Sequence, residues 1–403
     1  MTRRVVITGM GAVSALGMSA DANMQAMKNG QSGIAELDIQ DVDRLQIRIG
    51  GQIKAYSEEE YFSRQELSLY DRFTQFAVLA AAEAVAQSGA DFKALAARAG
   101  VVIGTSGGGL QTQDENFRKV YAEGKNRVHP LVVPRLMNNA AASHLSMLHG
   151  ITGPSYTVST ACASSNHAMG QAFHMVRSGM VDAALTGGAE SMLCFGGIKA
   201  WEGLRVMSKT GCRPFSNNRD GMVQGEGAAV YVFEELSAAK ARGAEILAEV
   251  AGFSMTSDAS DIVMPNKLGA MQAMRGAMDD AAINPEDIGY INAHGTGTTA
   301  NDRTECQAIA EVFEGHTLNL AVSSTKSMHG HLIGGTGAVE LLACITALRE
   351  GVIAPTINFT NPDEGCHLNV VPNVAQRKDV AATLSNAFAF GGLNAVIALK
   401  AWR

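Results

Sequence analysis

The sequence predicts an α/β protein in which helices cover a largely parallel sheet. Strand-like apolar runs alternate with helix-like segments along the whole chain, which is the pattern of layered α/β folds. Forty-three glycines against nine prolines among 403 residues indicate many tight turns. A hydrophobic content of 46% with only 18% charged residues is ample for a large core. No low-complexity tract or proline- and serine-rich linker divides the chain.

The predicted elements follow one another in short alternation. Strands are expected at 4–9, 99–104, 154–160, 182–187, 228–234, 246–253, 287–293, 318–323 and 395–401. Helices are expected at 70–88, 162–178, 268–282, 301–313 and 331–349. The third of these helices ends just before Pro285, because the residue preceding a proline disfavours helical backbone angles. Segments 102–108 and 322–325 both resemble a strand that ends in a small-residue turn, a faint echo between the two halves.

Composition limits the compartment and the classes of partner. No uninterrupted apolar stretch reaches the length of about 18 residues that a membrane span needs, and the first residues lack the apolar region of a signal peptide. The six cysteines have no CxxC spacing, which predicts a reducing cytoplasm and neither a disulfide framework nor a zinc site. The net charge of −7 argues against general nucleic-acid binding but leaves an acidic protein partner open.

One cysteine stands where a strand gives way to an apolar helix. The segment 158–166 passes from a β-branched run into small residues around Cys162. A thiol at the first turn of a helix feels the positive end of the helix dipole, which favours the thiolate. The pattern therefore indicates an acyl-accepting nucleophile, although a lone cysteine in an apolar stretch is more often an inert core residue.

Two further turns carry polar residues that packing alone does not explain. His294 ends a strand-like run and is followed by Gly295 and Gly297, which allow a ligand to approach closely. It is a candidate general base or hydrogen-bond donor, with a capped surface histidine as the plain alternative.

The turn at 322–331 carries Lys326, His329 and His331. Glu340 lies on the apolar helix that follows, and such a buried carboxylate needs a partner such as Lys326. The residues alone do not choose between the two histidines. No nucleotide site is evident, because the glycine run 107–109 lacks the following lysine of a phosphate-binding loop.

These motifs, taken together and in the order in which they occur, resemble those of the β-ketoacyl-acyl carrier protein synthases. The resemblance is closest to the synthase II type. The resemblance rests on TACASS around Cys162, HGTGT from His294 and SSTKSMHGH ending at His331, and it spans essentially the whole chain. It implies catalytic roles for Cys162, His294, His331 and Lys326, with the lysine in electrostatic support of the histidine turn. The family usually has threonine where this chain has His329, which makes His329 a bystander.

Further assignments follow from the resemblance alone. The amides of Cys162 and Phe390 are expected to form the oxyanion hole. The expected supporting residues are Glu340, Asp302 and Glu305. No catalytic metal is expected, although a structural monovalent cation is expected near Asn292 and Glu305.

The resemblance also implies an architecture and a reaction. The fold is thiolase-like, with duplicated βαβαβαββ halves in a five-layered αβαβα arrangement. The half at 1–240 carries the cysteine and the half at 241–403 carries both histidines. The protein is expected to be a cytoplasmic homodimer in which strands near 154–160 pair across the two-fold axis.

The implied activity is that of a 3-oxoacyl-[acyl carrier protein] synthase. It is a decarboxylative Claisen condensation of an acyl thioester with malonyl-acyl carrier protein, which extends the chain by two carbons. The substrates are carried on the phosphopantetheine of acyl carrier protein, and no other cofactor is expected.

Departures from the family pattern bear on the substrate. Ala389 stands where the family usually has glycine, Leu393 where it has a hydroxyl residue, and Met222 where it has phenylalanine. Because the predicted gate of the acyl pocket comprises Phe388, Phe390 and Met222, these departures predict an acyl preference unlike that of housekeeping synthases. Arg205 matches a docking arginine for the acidic carrier protein, and Lys209 is expected one helical turn further on.

Other activities remain in view. Segments 212–216 and 300–302 resemble nodulation-type ketosynthases, which makes a specialised synthase for a secondary lipid or polyketide the main alternative. A non-catalytic partner subunit like a chain-length factor is less favoured, since such subunits usually lose the cysteine. A thiolase would need a second cysteine in the C-terminal glycine loop. An initiating synthase would have asparagine in place of His331.

Overall fold

A computed structural model describes residues 3–54 and 56–402. Its strands are β1 (Val5–Ser14), β2 (Ala35–Glu36), β3 (Ile49–Gly50), β4 (Ala99–Gly104), β5 (Ser155–Val158), β6 (Ala183–Glu190), β7 (Gly227–Glu235), β8 (Ala248–Ser257), β9 (Ile288–Asn292), β10 (Ala321–Ser323), β11 (Val352–Ile353), β12 (Gln376–Arg377), β13 (Ala382–Ala389) and β14 (Leu393–Lys400).

The helices are α1 (Ala20–Lys28), α2 (Glu58–Tyr61), α3 (Arg64–Leu69), α4 (Arg72–Ser88), α5 (Phe92–Leu95), α6 (Leu110–Tyr121), α7 (Val132–Leu136), α8 (Ala140–His149), α9 (Ser164–Arg177), α10 (Phe195–Gly203), α11 (Leu236–Ala241), α12 (Lys267–Ala281), α13 (Thr299–Val312), α14 (Lys326–His329) and α15 (Thr336–Glu350). None of the helices among the described residues combines the length and the apolar character that a bilayer crossing requires.

The main sheet is built from two copies of one strand pattern. Its order is β10-β9-β13-β14-β8-β1-β7-β6-β4-β5. Counted outward from the centre, β1-β7-β6-β4-β5 in the first half corresponds to β8-β14-β13-β9-β10 in the second. The directions also agree, because the two inner pairs of each half are antiparallel and the two outer pairs are parallel. This correspondence agrees with the duplicated, thiolase-like fold.

The sheet is mixed, so the expectation of a largely parallel sheet was wrong. Within each half, antiparallel strands return toward the centre, as β13 and β14 do around the turn at 390–392. The two halves then join through an antiparallel pairing of β1 with β8. Alternation of strands and helices along a sequence indicates layers but does not reveal such returns.

Two buried helices lie at the middle of the layered arrangement. α9 and α15 pack against each other, and each contacts strands of both halves. α15 is buried from Thr336 to Ala347 and so has no solvent-facing side over that length, as a central helix requires. α4 and α8 cover the outer face of the first half, while α12 packs on the second half and carries α13 against it. These helices and the two half-sheets account for the five predicted layers.

Most predicted elements occur within a few residues of their expected bounds, with one omission that matters. Strand β13 was not predicted, because Ser385 and Asn386 interrupt its apolar character. Both side chains are fully buried in the structure. The strand leads directly into the turn that contains Phe390, so it fixes one wall of the site described below.

A disulfide joins Cys306 on α13 to Cys366 in the loop after β11. The prediction that the chain forms no disulfide was therefore wrong. The two cysteines lie 60 residues apart in sequence, and only the packing of the second half brings them together. The other four cysteines are free and buried.

Candidate active site

Three turns converge on one point, and each follows a strand or a short helix. Cys162 lies between β5 and α9, just after Ala161, whose φ of +48° makes the chain turn sharply. The helix begins at Ser164, so the cysteine precedes the helix and does not lie within its first turn. His294 follows the end of β9, and His331 follows α14. The first half thus supplies the cysteine and the second half supplies both histidines.

The three side chains form a compact cluster. The sulfur of Cys162 and a ring nitrogen of each histidine all lie within 4.8 Å of one another. The rings of His294 and His331 are 5.5 Å apart and nearly perpendicular, at 83°. Among the described residues, no further histidine, cysteine or carboxylate joins this group. A substrate atom bound here would meet a sulfur nucleophile and two imidazoles at once.

The thiol of Cys162 is protonated at neutral pH. Burial raises its pKa to about 11, while the Lys326 ammonium and the backbone amides of Phe390 and Cys162 oppose that rise. Desolvation therefore outweighs the influences that favour the thiolate, while the effect expected of the helix terminus stays a prediction. The two amides that interact with the sulfur are the pair expected to form the oxyanion hole.

Both histidines of the cluster are neutral. Burial and the nearby charge of Lys326 lower the pKa values of His294 and His331 well below the usual value for histidine. The Nδ1 atom of His331 lies 2.8 Å from the hydroxyl of Thr336, and its Nε2 atom has no protein partner. A neutral imidazole carries one N–H, so each ring can donate one hydrogen bond to a substrate oxygen.

Lys326 forms a buried ion pair beside the cluster. Its ammonium lies 2.6 Å from an oxygen of Glu340, and both side chains are buried. Burial raises the pKa of Glu340 to about 7, against the attraction of the lysine. The pair places a positive charge near Cys162 and both histidines, where it favours the thiolate and disfavours imidazolium.

Two carboxylates of α13 hold the turn that presents His294. Glu305 accepts hydrogen bonds of 2.8 Å from the amides of His294 and Gly295. Asp302 accepts from the amides of Gly297, at 3.2 Å, and Phe215, at 2.8 Å. Both carboxylates therefore bond to the backbone of the turn, and they are two of the residues for which the resemblance implies a supporting role.

An apolar cavity of about 100 Å³ opens onto the cluster. Its wall includes the three predicted gate residues and Trp201, whose ring stacks on Phe390 at 5.9 Å with an interplanar angle of 24°. A loop at 258–266 closes the opposite side. The amide of Gly391 donates to Ile262 in this loop, and Asn394 donates to Asp258 at 2.8 Å. The turn after β13 is thereby tied to the loop after β8.

Family models account for most of the chain. The N-terminal domain of beta-ketoacyl synthases matches residues 2–239, and the C-terminal domain matches residues 247–360. The chain belongs to the β-ketoacyl synthase family. The predicted recognition is thus confirmed, and the chain is a ketosynthase of the acyltransferase class.

The relatives of this synthase cover it end to end. Nodulation protein E of Rhizobium leguminosarum bv. trifolii is 45% identical over 401 residues, which cover 99% of this chain and 100% of the relative. The 3-oxoacyl-[acyl-carrier-protein] synthase 2 of Staphylococcus aureus (strain COL) is 40% identical over 406 residues, which cover 99% and 98%. The solved structure of the ishigamide ketosynthase/chain length factor superposes with a TM-score of 0.95 at 33% identity and covers both chains fully.

Several side chains around the candidate site were not predicted. Glu190, at the end of β6, is fully buried and accepts hydrogen bonds from Thr105, Ser106, Gly107 and Gly334. It joins the small-residue turn after β4 to the segment after His331. A single carboxylate ending an otherwise apolar strand was the available signal. Thr336, Trp201 and Asp258 gave no comparable signal, since their roles depend on contacts between distant segments.

The predicted docking residues are both exposed, but they do not share a helix. α10 ends at Gly203, and Arg205 has a φ of +55°. The expectation that Lys209 lies one helical turn further on was therefore wrong, because the chain leaves the helix before Arg205. Val206, next to the arginine, lines the cavity. Arg205 is therefore the sequence neighbour of a residue in the cavity wall.

Buried oxygen atoms without partners lie where the monovalent cation is expected. Asn292 Oδ1, Asn386 Oδ1 and Ser385 Oγ have no hydrogen-bond partner, although all three residues are buried. Asn292 and Ser385 are paired across β9 and β13, and Asn386 donates to Glu305 at 3.2 Å. Amide, hydroxyl and carboxylate oxygens are the ligands that hard cations prefer, so the residues fit such an ion.

Proposed function

We propose that this synthase extends a carrier-bound acyl chain by two carbons through decarboxylative condensation with a malonyl thioester. The observation that carries the proposal is the joint position of Cys162, His294 and His331 at an apolar cavity. A nucleophile alone would support acyl transfer. The two neutral histidines add donors for an enolate oxygen, which is what loss of carbon dioxide from malonate requires.

In the first stage the sulfur of Cys162 attacks the carbonyl carbon of an acyl thioester. The bond between that carbon and the carrier thiol breaks, and the thiol leaves with the proton of the cysteine. The negative oxygen of the tetrahedral intermediate is stabilised by the amides of Cys162 and Phe390. Lys326 favours the thiolate as it develops, because its ammonium lowers the pKa of the cysteine against burial.

In the second stage a malonyl thioester loses carbon dioxide. The electrons of the broken carbon–carbon bond form an enolate, whose oxygen accepts one hydrogen bond from each histidine. For Nε2 of His331 to donate, its Nδ1 accepts from the hydroxyl of Thr336. The enolate carbon attacks the carbonyl carbon of the acyl group on Cys162, the carbon–sulfur bond breaks, and the sulfur leaves as a thiolate that takes a proton from water. The product is a 3-oxoacyl thioester.

The natural substrates are carried by an acyl carrier protein through its phosphopantetheine arm. Support comes from the relative named as a 3-oxoacyl-[acyl-carrier-protein] synthase. Arg205 and Lys209 are exposed cations on the segment that leads into the cavity wall, and an acidic carrier protein would bind there. No cofactor beyond the arm takes part in the proposed steps.

The active form is proposed to be a homodimer. β5 ends the sheet, and its outer edge has no strand beside it among the described residues. Exposed apolar side chains lie on the strand, on α8 and on or just after α7, which contacts α8; they include Tyr156, Val133, Met137 and Met147. A second copy that pairs its β5 with this edge would cover an otherwise unprotected strand and its apolar surroundings.

A monovalent cation is proposed to bind the oxygens of Asn292, Asn386, Ser385 and Glu305. Its charge would stabilise the buried carboxylate and the ends of β9 and β13, from which the His294 and Phe390 turns begin. It takes no part in bond making or breaking.

The acyl chain is proposed to differ from that of housekeeping synthases. Ala389 and Met222 line the cavity and are buried, at positions where the family usually has glycine and phenylalanine. The higher identity to Nodulation protein E than to the staphylococcal synthase favours a specialised pathway as the second candidate. A non-catalytic partner subunit is the weaker alternative, since the cysteine and both histidines are present.

The proposal is tested by intact-mass spectrometry of the protein with acyl carrier proteins of several chain lengths, followed by malonyl carrier protein. Wild type should gain the acyl mass and then release a product two carbons longer. Cys162→Ala should gain none. The length profile separates a housekeeping from a specialised synthase. Failure of every chain to modify Cys162, with all carrier proteins verified as loaded, would contradict the proposed function.

A further inference from the structure

His329 is a third histidine beside the active-site cluster, and the proposed reaction gives it no role. It ends the short helix α14 and is fully buried. Gly330 follows with a φ of +76°, and His331 comes next. Burial and Lys326 lower the pKa of His329 to about 3, so the ring is neutral at physiological pH.

Both ring nitrogens of His329 have a partner, and the partners fix the tautomer. Nδ1 lies 2.7 Å from the carbonyl oxygen of Gly330, which accepts but cannot donate. Nδ1 therefore carries the proton. Nε2 lies 2.9 Å from the hydroxyl of Thr325 and accepts a hydrogen bond from it. Through these two bonds the ring connects the Thr325 side chain to the Gly330 peptide.

The hydrogen bonds extend beyond Thr325 to the strand that leads to His294. The side-chain amide of Asn292 donates to the Thr325 hydroxyl at 3.4 Å. Asn292 ends β9, two residues before His294. The resulting polar chain runs in one direction, from Asn292 through Thr325 and His329 to the carbonyl of Gly330.

The far end of the polar chain is the peptide that presents His331. Glycine allows rotations that other residues resist, so the Gly330 peptide needs external bonds to hold one orientation. The amide of His331 donates to Val223 at 2.6 Å, and its carbonyl accepts from Gly225 at 2.9 Å. The bond from His329 fixes the carbonyl on the other side of the same peptide.

We infer that His329 is a positioning residue, which ties the segment of His294 to the segment of His331 through the polar chain Asn292–Thr325–His329–Gly330. The inference rests on the proposed function, since it assigns His329 to alignment of the two enolate donors. It extends the site to a residue that the resemblance alone leaves as a bystander. The acylation of Cys162 does not use this alignment, whereas the decarboxylation step does.

The test compares the two half-reactions in His329→Leu and His329→Asn. Leucine fills the volume without hydrogen bonds, while the amide nitrogen of asparagine can replace the Nδ1 donor. His329→Leu should acylate Cys162 at close to the wild-type rate but release carbon dioxide from malonyl carrier protein roughly 10- to 100-fold more slowly, as expected for donors displaced by a fraction of an ångström. His329→Asn should recover most of that loss.

Thr325→Val provides a second variant of unchanged shape if the leucine variant does not fold. It removes the hydroxyl that His329 accepts from, and it should slow the same half-reaction. The double variant Thr325→Val/His329→Leu should be no slower than His329→Leu, because both changes break one chain. Equal loss of both half-reactions in every variant, without recovery by asparagine, would show a structural role only and overturn the inference. Wild type that forms no acyl-Cys162 would instead overturn the proposed function.

Discussion

At the scale of single residues, the protonation states of the cysteine and the histidines depend on their burial and on the charge of Lys326. Lys326 lowers the pKa values of both histidines and opposes the rise at Cys162. Sequence motifs identified all four residues, because each lies in a short and specific pattern. They could not give the protonation state of the cysteine, since desolvation depends on side chains from distant segments.

The protonated state of Cys162 predicts a steep pH dependence of its reactivity. With a pKa of about 11, only about one thiol in ten thousand is ionised at pH 7, and that fraction rises tenfold per pH unit. Alkylation of Cys162 by iodoacetamide, followed by peptide mass spectrometry, should therefore accelerate about tenfold per unit between pH 7 and 9. Cys344, which is buried away from the cavity, provides the internal control. A rate that levels off below pH 8 would show a preformed thiolate and contradict this account.

At the scale of elements, the sequence predicted helices best where apolar residues recur at a regular spacing over a long segment. α4, α9, α12 and α15 were predicted within a few residues of their bounds because each has a long apolar pattern. β13 was missed because buried polar residues break its pattern. Asn386 donates to Glu305 at 3.2 Å, and Ser385 is paired with Asn292 across β9 and β13, so the polar residues that hid the strand lie beside the elements that carry the His294 turn.

The disulfide between α13 and the loop after β11 predicts a measurable contribution to stability. It closes a loop of 60 residues, and by chain entropy its loss lowers the free energy of unfolding by roughly 4 kcal/mol. Cys366→Ala should therefore unfold at lower denaturant concentration than wild type under non-reducing conditions. Cys194→Ala, which removes a buried free thiol, provides the matched control. Identical midpoints for Cys366→Ala and wild type would rule out a stabilising disulfide.

At the scale of the whole molecule, the chain folds into two similar halves that meet at the candidate site. The first half contributes Cys162, and the second half contributes His294 and His331. A faint echo between segments 102–108 and 322–325 was the only internal sign of duplication in the sequence. The matching strand orders make it evident in the fold. The direction of the strands could not be predicted from alternation, because antiparallel returns and parallel crossovers both join strands to helices.

The edge position of β5 predicts a dimer that a single charge weakens. Tyr156 lies on this strand and is 37% exposed. Tyr156→Asp should shift the monomer–dimer equilibrium toward monomer by at least about tenfold, since the substitution buries two like charges near the two-fold axis. Analytical ultracentrifugation measures this shift. Leu318 lies just before β10, which is at the other end of the sheet from β5, and its side chain is 95% exposed. Leu318→Asp should therefore leave the dimer intact.

A wild-type chain that remains monomeric alone would contradict the homodimer. In that case, co-purification with a second synthase-like chain should be tested, because the chain superposes on a ketosynthase/chain length factor structure.

The proposed mechanism assigns acylation to Cys162 and decarboxylation to the two histidines. Measuring acylation of Cys162 and release of carbon dioxide separately in His294→Ala and His331→Ala tests this assignment. Both variants should still form the acyl adduct, while carbon dioxide release should fall by roughly 100- to 1,000-fold, the usual cost of one missing oxyanion donor. Variants that lose acylation but still decarboxylate malonyl carrier protein at the wild-type rate would contradict the account.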